Sequence, residues 1–426
     1  MNQKEEIQLY PDPLVPGKFD LEENGIHKNA KGFLHPSNWV FHKGVYIPVL
    51  EGRYDKIKPF SAEIVPTMNC PLRCNLPCSF EEQKIILGCW DHNYFSSPET
   101  HMQNTTYARN LINKLHEGGV KGLIFTGGGD PFLYKNLGDI MKYAEVKEMD
   151  KVLYTNGVAV SKNQLEKVME SNPLLIRVSL NAFSKDVYNK FHNPFNKNNS
   201  HEKAWNNFEM IVEMAKYNYD TEVGAAFVVD EKNKDDLVNC ANELANIKQR
   251  TNGDISVVAI RPRYHYRGGK QLEKEILKEI FENVERNVRP ILEKVGIPCN
   301  NVKPRYDSLL DQKKKFTKCR ASRNYGEIAP NGKNHLCCDN NAHPDWETGN
   351  LNEQTLDEIF ESEEYAKILK KVNDTNCDIC PPGCKPHLTN IQYDEVERKR
   401  ANGEIHEVEL WVEKWNEYEK PRMVNF

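Results

Sequence analysis

Residues 61–78 read SAEIVPTMNCPLRCNLPC, a short apolar run that is followed at once by three cysteines. The run has the length of a buried parallel strand, and Cys70, Cys74 and Cys78 follow on the next loop. In an open α/β sheet, ligands bind beyond the carboxyl ends of the strands, so this loop lies at a ligand-binding edge. Three thiolates can hold three corners of a 4Fe–4S cluster and leave one iron open. Zinc is the alternative, although it usually takes four ligands from two separated pairs.

Five further apolar runs follow in the middle of the chain, and helical patterns separate them. The runs are GLIFTGG (122–128), KVLYTNG (151–157), LLIRVSL (174–180), TEVGAAFVV (221–229) and DISVVAIRP (254–262). Strand and helix thus alternate six times, which predicts an α/β fold with a parallel sheet. Because six units fall short of the eight of a closed barrel, we expect an open or partial (β/α)6 barrel.

The net charge and the absence of long apolar stretches indicate which partners the protein lacks. The formal net charge of −5 argues against binding of nucleic acid through bulk positive charge. The first residues show no secretory pattern, and no apolar stretch is long enough to cross a bilayer, so we expect a cytoplasmic protein without a membrane partner.

We divide the chain into four parts, namely an irregular N-terminal extension (1–60), a partial barrel (61–300), a small α+β domain (301–390) and a helical tail (391–426).

Most of the twelve cysteines stand in groups. In a cytoplasmic protein, cysteines are more often ligands or catalysts than disulfides, and metal ligation requires them to cluster. The groups are Cys70, Cys74 and Cys78; Cys319, Cys337 and Cys338; and Cys377, Cys380 and Cys384.

Glycines and polar side chains stand at the ends of the predicted strands. The second run ends in FTGGGDP and the third in TNG, where glycine lets the backbone come close to a ligand. The fourth run carries Arg177, Ser179 and Asn181 on one face, and such groups need partners if they are buried. Ordinary turns and a polar sheet edge are the alternative explanations.

In combination, these motifs resemble those of the radical S-adenosylmethionine (SAM) superfamily. The cysteine triplet, GGDP, TNG and VSLN stand in the family's order over about residues 60–265. The resemblance implies a partial (β/α)6 barrel with a 4Fe–4S cluster, whose open iron SAM chelates through its amino and carboxylate groups. It implies that reduction, by a flavodoxin- or ferredoxin-like donor, cleaves SAM to methionine and a 5′-deoxyadenosyl radical. That radical would remove a hydrogen atom from the substrate.

The resemblance makes Cys70, Cys74 and Cys78 the catalytic cluster ligands. The family's usual triplet is CX3CX2C with an aromatic residue before the last cysteine, whereas this chain has CX3CX3C and Pro77 there. All three ligands are retained. Similar wide spacing occurs in radical SAM dehydratases that act on aminoglycoside sugars.

The resemblance also assigns the SAM-binding residues. Gly128, Gly129 and Asp130 would meet the methionine amino group, where the family more often has glutamate than aspartate. Ser179 and Asn181 would face the ribose or the carboxylate of SAM.

The second cysteine region resembles the SPASM/Twitch extension of radical SAM enzymes. Cys319 and Cys337 flank Gly332 in a hairpin pattern, and TGN, a helix and CDICPPGC (377–384) follow. Full SPASM domains have seven cysteines and two auxiliary clusters, whereas this region has six. The resemblance therefore implies one auxiliary 4Fe–4S cluster.

Four cysteines would complete that auxiliary cluster, namely Cys319, Cys337, Cys377 and Cys380. Cys384 competes with Cys380 for the last place. Cys338 directly follows a ligand, and we expect its side chain to point elsewhere. A zinc site is the alternative, because two separated cysteines followed by CX2C also suit zinc.

Basic residues follow the sixth predicted strand at the ligand-binding edge. Arg261, Arg263 and His265 could bind an anionic substrate or the SAM carboxylate, and His265 could exchange a proton. A solvated basic loop is the alternative.

These features predict a radical SAM enzyme of the oxidoreductase or lyase type. We expect a small hydroxylated substrate, such as a sugar or an aminocyclitol, and dehydrogenation, dehydration or epimerisation as the outcome. The second hypothesis is a maturase that modifies a ribosomal peptide, although residues 1–60 are short for a peptide-recognition domain. The third is a non-catalytic iron–sulfur scaffold or regulator, which would have no need of the strand-end motifs.

Overall fold

The computed structural model describes most of the chain. It covers residues 38–74, 100–194, 196, 199–217, 220–264, 271–301, 303–311, 313–340 and 343–416. Cys78 and His265 therefore lie outside the described residues.

The strands of the described chain form one sheet of ten, in the order β10-β9-β8-β1-β2-β3-β4-β5-β6-β7. The strands are β1 (Ser61–Ile64), β2 (Gly122–Phe125), β3 (Asp150–Thr155), β4 (Leu175–Ser179), β5 (Glu222–Val229), β6 (Val257–Pro262), β7 (Cys299–Asn301), β8 (Tyr325–Ile328), β9 (Lys333–His335) and β10 (Glu347–Asn350). Neighbours from β1 to β7 pair in parallel and in chain order. The predicted α/β class and partial barrel are confirmed.

Helices connect the strands and continue to the C-terminus. They are α1 (Lys43–Glu51), α2 (Thr105–Glu117), α3 (Leu137–Val146), α4 (Lys162–Met169), α5 (Lys185–His192), α6 (Ser200–Ala215), α7 (Leu237–Thr251), α8 (Lys274–Asn283), α9 (Arg289–Lys294), α10 (Lys303–Asp311), α11 (Leu356–Glu361), α12 (Glu363–Asp374), α13 (His387–Ala401) and α14 (Ile405–Asn416). None of the described helices is both long and apolar enough to cross a membrane.

Local sequence fixes where several of these helices begin. The side chain of Asn104 accepts a hydrogen bond from Tyr107 N, which caps α2. Thr355 and Glu358 form a capping box at the start of α11, in which each side chain accepts from the other's backbone N–H. These caps satisfy backbone donors that have no partner inside the helix.

The cysteine-rich C-terminal region joins the barrel through the sheet itself. β8 pairs in parallel with β1, so Glu63 stands opposite Glu327. β9 and β10 then continue the sheet in antiparallel pairing. As a result, the segment that carries the later cysteines is fixed beside the strand that precedes Cys70.

The two faces of the sheet have different environments. Val223, Ala225 and Phe227 of β5 belong to the main core, which the helices cover. Val152, Leu175 and Val257 form a separate apolar cluster on the opposite face. We call the face that carries this second cluster the inner face of the partial barrel. Because strand side chains alternate, the residues two and four positions along from these lie on the inner face too.

Residues 38–60 pack against the C-terminal helices. Trp39 is fully buried, and its ring lies 5.2 Å from Tyr393 and 5.8 Å from Trp411, measured between centroids. Trp39 Nε1 also donates to Gln392 Oε1 at 2.8 Å. This part of the N-terminal region therefore belongs to a second apolar core together with α13 and α14.

Candidate functional site

The loop after β1 holds the first cysteine site. Cys70 and Cys74 are half-buried there. Asp130 N donates to Asn69 O at 2.7 Å, which ties the glycine turn after β2 to the base of the cysteine loop. A Cβ at Gly129 would collide with the backbone of Asn69. The residue at 129 must therefore be glycine for the two loops to pack so closely.

Asp130 fixes that turn from the other side. Its carboxylate accepts hydrogen bonds from Phe132 N at 3.0 Å, Thr155 Oγ1 at 2.8 Å and Asn156 N at 2.7 Å. Burial raises the pKa of Asp130, and the three donors oppose that rise. Asp130 thus connects the turn after β2 to the end of β3. Its predicted contact with SAM stays a prediction, as does that of Gly128, which is buried in the same turn.

Two further residues that were predicted to bind SAM, Ser179 and Asn181, lie at the end of β4. Ser179 is half-buried on the inner face. Asn181 is buried with φ at +61°, and its Oδ1 accepts from Val228 N at 2.8 Å. Asn233 Nδ2 donates to the carbonyl oxygen of Asn181 at 2.8 Å. Asn181 therefore connects β4 to β5, and its predicted SAM contact stays a prediction.

The side-chain amide of Asn156 and the imidazole of His192 face the cysteines of the loop after β1. Asn156 Nδ2 lies 3.5 Å from Cys70 Sγ, and His192 Nδ1 lies 3.1 Å from Cys74 Sγ. Burial lowers the pKa of His192 to about 4, so its imidazole is neutral at pH 7. Our sequence reasoning singled out neither residue, although Asn156 belongs to TNG. His192, a single histidine at a helix end, carries no sequence signal.

The second site brings together cysteines that lie far apart in the chain. Five of them line one apolar cavity, together with Phe316, Leu336, Trp346 and Val372. They are the four predicted ligands and their competitor: Cys319, Cys337, Cys377, Cys380 and Cys384. The structure therefore brings the predicted set together and does not separate Cys380 from Cys384.

Hydrogen bonds hold this second group of thiols in place. Asn390 Nδ2 donates to Cys319 Sγ at 3.6 Å, and Cys319 N donates to Asn373 Oδ1 at 2.8 Å. Burial raises the pKa of the Cys319 and Cys377 thiols, in the latter case to about 12. The thiols are therefore protonated in the absence of metal, and a bound metal would have to displace their protons.

A buried cation lies beside this cavity. The ammonium group of Lys314 hydrogen-bonds the Cys384 thiol and the carbonyl oxygen of Pro381. Burial favours the neutral amine and lowers the pKa of Lys314, but its contacts with Cys384 and Cys380 outweigh burial and raise that pKa. A positive charge at this position stabilises thiolate sulfur.

Cys338 does not line the second cavity. Its thiol hydrogen-bonds that of Cys337 and lies within electrostatic reach of Tyr154 on the inner face. The ligand atoms of Cys337, Cys338 and Asp339 nevertheless lie within 4.8 Å of one another.

The predicted basic residues after β6 separate in the structure. Arg263 pairs with Asp230 at 3.5 Å and with Glu231 at 3.7 Å. Arg261 lies on the inner face, and its buried Nε has no hydrogen-bond partner among the described residues. Arg261 is therefore the more available of the two for a ligand.

Other polar groups share the inner face with Arg261. The Arg177 guanidinium carbon lies 3.5 Å from the ring centroid of Tyr154. Burial raises the pKa of Tyr154 to about 12, and Arg177 and Arg261 oppose that rise. Glu327 is 1% exposed, and neither carboxylate oxygen has a hydrogen-bond partner in the described chain. Burial raises the pKa of Glu327, and the neighbouring Cys337 adds to the rise.

A lysine from the second site reaches this face. Lys385 Nζ forms an ion pair with Glu63 Oε1, and Lys385 N donates to Asp339 Oδ2 at 2.9 Å. Burial lowers the pKa of Lys385 to about 7, whereas the contact with Glu63 favours the charged form. The second cysteine site thus adjoins the inner face directly.

Both donor sets fit iron–sulfur ligation. Thiolate is the ligand type of such clusters, and N–H groups directed at the sulfurs stabilise it. The first site has Asn156 and His192 in that role, and the second has Lys314 and Asn390.

Family models match both regions of the chain. A model of the radical SAM superfamily matches residues 64–244. A model of the SPASM iron–sulfur cluster-binding domain matches residues 319–385. The first range contains the cysteine loop and the strand-end motifs, and the second contains all five cysteines of the cavity. These domains imply a 4Fe–4S cluster with SAM and auxiliary iron–sulfur binding.

Similar proteins support the same fold. Fe-coproporphyrin III synthase from Methanosarcina barkeri is 27% identical over 177 residues, which cover 39% of this chain and 39% of that protein. The chain thus matches well under half of that relative's length. Streptococcus suis SuiB bound to S-adenosylmethionine superposes with a TM-score of 0.54 at 15% identity, covering 81% of this chain and 75% of SuiB. SuiB bound to its precursor peptide SuiA superposes with a TM-score of 0.55 at 15% identity, covering 81% of this chain and 76% of SuiB.

Proposed function

Because the chain belongs to the radical SAM superfamily and carries a C-terminal SPASM domain, we propose that it acts on a small hydroxylated metabolite. The enzyme would cleave SAM reductively and abstract a hydrogen atom from a C–H bond of that substrate. A sugar or an aminocyclitol is the proposed class, and dehydrogenation, dehydration or epimerisation the proposed outcome. Dehydrogenation would make it an oxidoreductase, and dehydration would make it a lyase.

The loop after β1 would hold the SAM-binding cluster through Cys70, Cys74 and Cys78. When bound, the cluster supplies the electron that cleaves SAM to methionine and a 5′-deoxyadenosyl radical. The turn that contains Gly128 and Gly129 would receive the amino group of SAM, and Asp130 holds that turn in place. Ser179 and Asn181 would lie on the ribose or carboxylate side.

The cavity of the second site would hold one auxiliary 4Fe–4S cluster. Cys319, Cys337 and Cys377 would be ligands, and we propose Cys380 as the fourth, because it forms a CX2C pair with Cys377. A cluster with four protein ligands has no open iron for substrate. The proposed roles of this site are electron transfer and support of the adjoining inner face.

The polar inner face is the observation that carries the proposed substrate class. Arg261 is half-buried there and Glu327 is buried, and each has buried polar atoms that lack hydrogen-bond partners in the described chain. Tyr154 and Arg177 stand beside Arg261. Buried polar groups without partners are costly, so a substrate rich in hydroxyl, amine or anionic groups would satisfy them.

A peptide maturase is the second candidate. The observation in its favour is the similarity in fold to SuiB, which was solved with its precursor peptide. The identity is only 15%, so the likeness concerns the fold. Against this candidate, residues 38–60 pack onto the C-terminal helices and do not form a separate peptide-binding unit.

One experiment separates the two candidates. The anaerobically reconstituted protein is incubated with reductant, SAM and either a panel of deuterated hydroxylated sugars and aminocyclitols or a panel of deuterated peptides. We expect deuterium to enter 5′-deoxyadenosine only with a member of the first panel. Cys74→Ala is the control and should give no transfer. Transfer from a peptide alone would replace the proposed substrate class with the second candidate.

A further inference from the structure

A buried histidine connects the end of α5 to the first cysteine loop. His192 is 2% exposed, and its Nδ1 lies 3.1 Å from Cys74 Sγ. The backbone makes a second connection, because Arg73 N donates to the carbonyl oxygen of His192 at 3.1 Å. The side chain and the loop are thus fixed relative to each other.

The surroundings of His192 determine which ring nitrogen carries the hydrogen. Asn181 Oδ1 accepts from Val228 N, and this orients Asn181 Nδ2 toward His192 Nε2 at 3.3 Å. The carbonyl oxygen of Leu180 lies 3.4 Å from the same nitrogen. Because the sulfur of Cys74 can only accept once it is a thiolate ligand, we assign a ring hydrogen to Nδ1, facing Cys74, and Nε2 then accepts from the Asn181 amide.

Two more donors lie around the same cysteines. Asn156 Nδ2 is 3.5 Å from Cys70 Sγ. The hydroxyl of Tyr188 is buried and has no hydrogen-bond partner among the residues that the structure describes. The Tyr188 ring lies 4.4 Å from that of His192, and its phenol is within electrostatic reach of both Cys74 and Cys70. An unpartnered hydroxyl there indicates that a further acceptor belongs in this space.

We propose that His192 is a positioning residue that donates a hydrogen bond to the Cys74 thiolate and raises the reduction potential of the SAM-binding cluster. The inference rests on the proposed ligation of that cluster by Cys74. An N–H donor stabilises the more negative, reduced cluster more than the oxidised one, and hydrogen bonds to the sulfurs are a known determinant of cluster potential. Asn181 acts through His192 by holding its ring hydrogen on Nδ1.

The test is an EPR-monitored redox titration of the full-length protein with both clusters loaded. The SAM-binding cluster is identified by the change in its signal when SAM is added. In His192→Leu, we expect its ratio of reduced to oxidised form at a fixed potential to fall about three- to tenfold, because one charge-assisted hydrogen bond is lost. His192→Gln keeps an N–H donor and should recover part of the ratio.

His201→Leu is the matched control for this substitution. His201 lies on α6, its ring is 5.3 Å from that of Tyr188, and its Nε2 contacts the carbonyl oxygen of Phe183. The variant disturbs the same aromatic surroundings without touching a cysteine donor. It should leave both cluster potentials unchanged, and the auxiliary cluster should titrate identically in every variant.

An unchanged ratio in His192→Leu with a full iron content would overturn the inference. If His192→Leu does not retain its clusters, the wild-type protein labelled with ¹⁵N-histidine provides a second test. Pulsed EPR of the reduced SAM-binding cluster should then show coupling to a histidine nitrogen, and its absence would contradict the assignment. A wild-type protein without any SAM-responsive signal would instead contradict the proposed function.

Discussion

The two cysteine sites differ in how the chain assembles them. Cys70 and Cys74 stand on one loop directly after β1, and both are half-buried. The second site gathers cysteines from residues 319 to 384 into an apolar cavity, where most of them are buried. A half-buried local loop suits a cluster that must admit SAM, whereas an enclosed set suits a cluster whose ligands all come from protein.

The two sites also differ in the charge of the groups that donate hydrogen bonds to their sulfur atoms. At the first site, the donors directed at sulfur are neutral: the amide of Asn156 and the imidazole of His192. At the second site, the charged ammonium group of Lys314 lies beside Cys384. Each site therefore has its own means of stabilising thiolate, and we expect substitutions at the two sites to have different effects.

The largest effect is expected at the first site. Cys74→Ala removes one of three ligands that hold the open cluster, so formation of 5′-deoxyadenosine should fall to background. The measurement is chromatographic quantification of 5′-deoxyadenosine after anaerobic reduction with SAM. Cys240→Ala is the control, because Cys240 is a buried cysteine of α7 that belongs to neither group of proposed ligands. Turnover of Cys74→Ala at the rate of wild type would refute the assignment.

Removing a ligand from the second site should have a narrower effect. Cys319→Ala is expected to lower the iron content from about eight to about four per chain. SAM cleavage should continue, while product formation is impaired. Iron analysis and product chromatography on the same sample provide the check. A full iron content, or zinc in place of iron, would contradict an auxiliary iron–sulfur cluster.

We expect substitution of Cys380 and of Cys384 to differ in how much iron the protein loses. Cys380→Ala should lose about four irons, whereas Cys384→Ala should retain them, because Cys380 forms the proposed CX2C ligand pair with Cys377. The two variants serve as controls for each other, since both thiols line the same cavity. The opposite pattern of iron loss would make Cys384 the fourth ligand.

The smallest expected effect concerns stability. Asp130→Asn replaces a carboxylate that accepts three hydrogen bonds with an amide that cannot accept all three. We expect the free energy of unfolding to fall by about 1–3 kcal/mol. Asp139→Asn, at an exposed position of α3, is the control. Denaturant titration of both variants measures the difference, and equal unfolding midpoints would show that Asp130 does not hold the turn.

Sequence patterns predicted the features that are encoded locally. Apolar runs and helical periods indicated the six strand–helix units, and the motifs after the strands placed the residues proposed to bind SAM at one edge of the sheet. The motif GGGDP after β2 is an example, because its glycines predicted a close turn at the end of that strand.

The features that the sequence did not predict depend on packing between residues far apart in the chain. No local pattern indicates that β8 pairs with β1, although this pairing brings Glu327 opposite Glu63 and the second site to the inner face. The contact of His192 with Cys74 joins residues 118 positions apart, and its geometry depends on Asn181 and Val228. Such contacts follow from the tertiary fold and leave no periodic signal in the sequence.

The central claim is that the chain holds two separate clusters and that SAM binds only the one after β1. EPR spectra of reduced wild type, Cys319→Ala and Cys74→Ala, recorded with and without SAM, test it most directly. We predict that SAM shifts one of two signals in wild type and the remaining signal in Cys319→Ala, but leaves the remaining signal in Cys74→Ala unchanged. A SAM-induced shift in Cys74→Ala, or none in Cys319→Ala, would contradict the account.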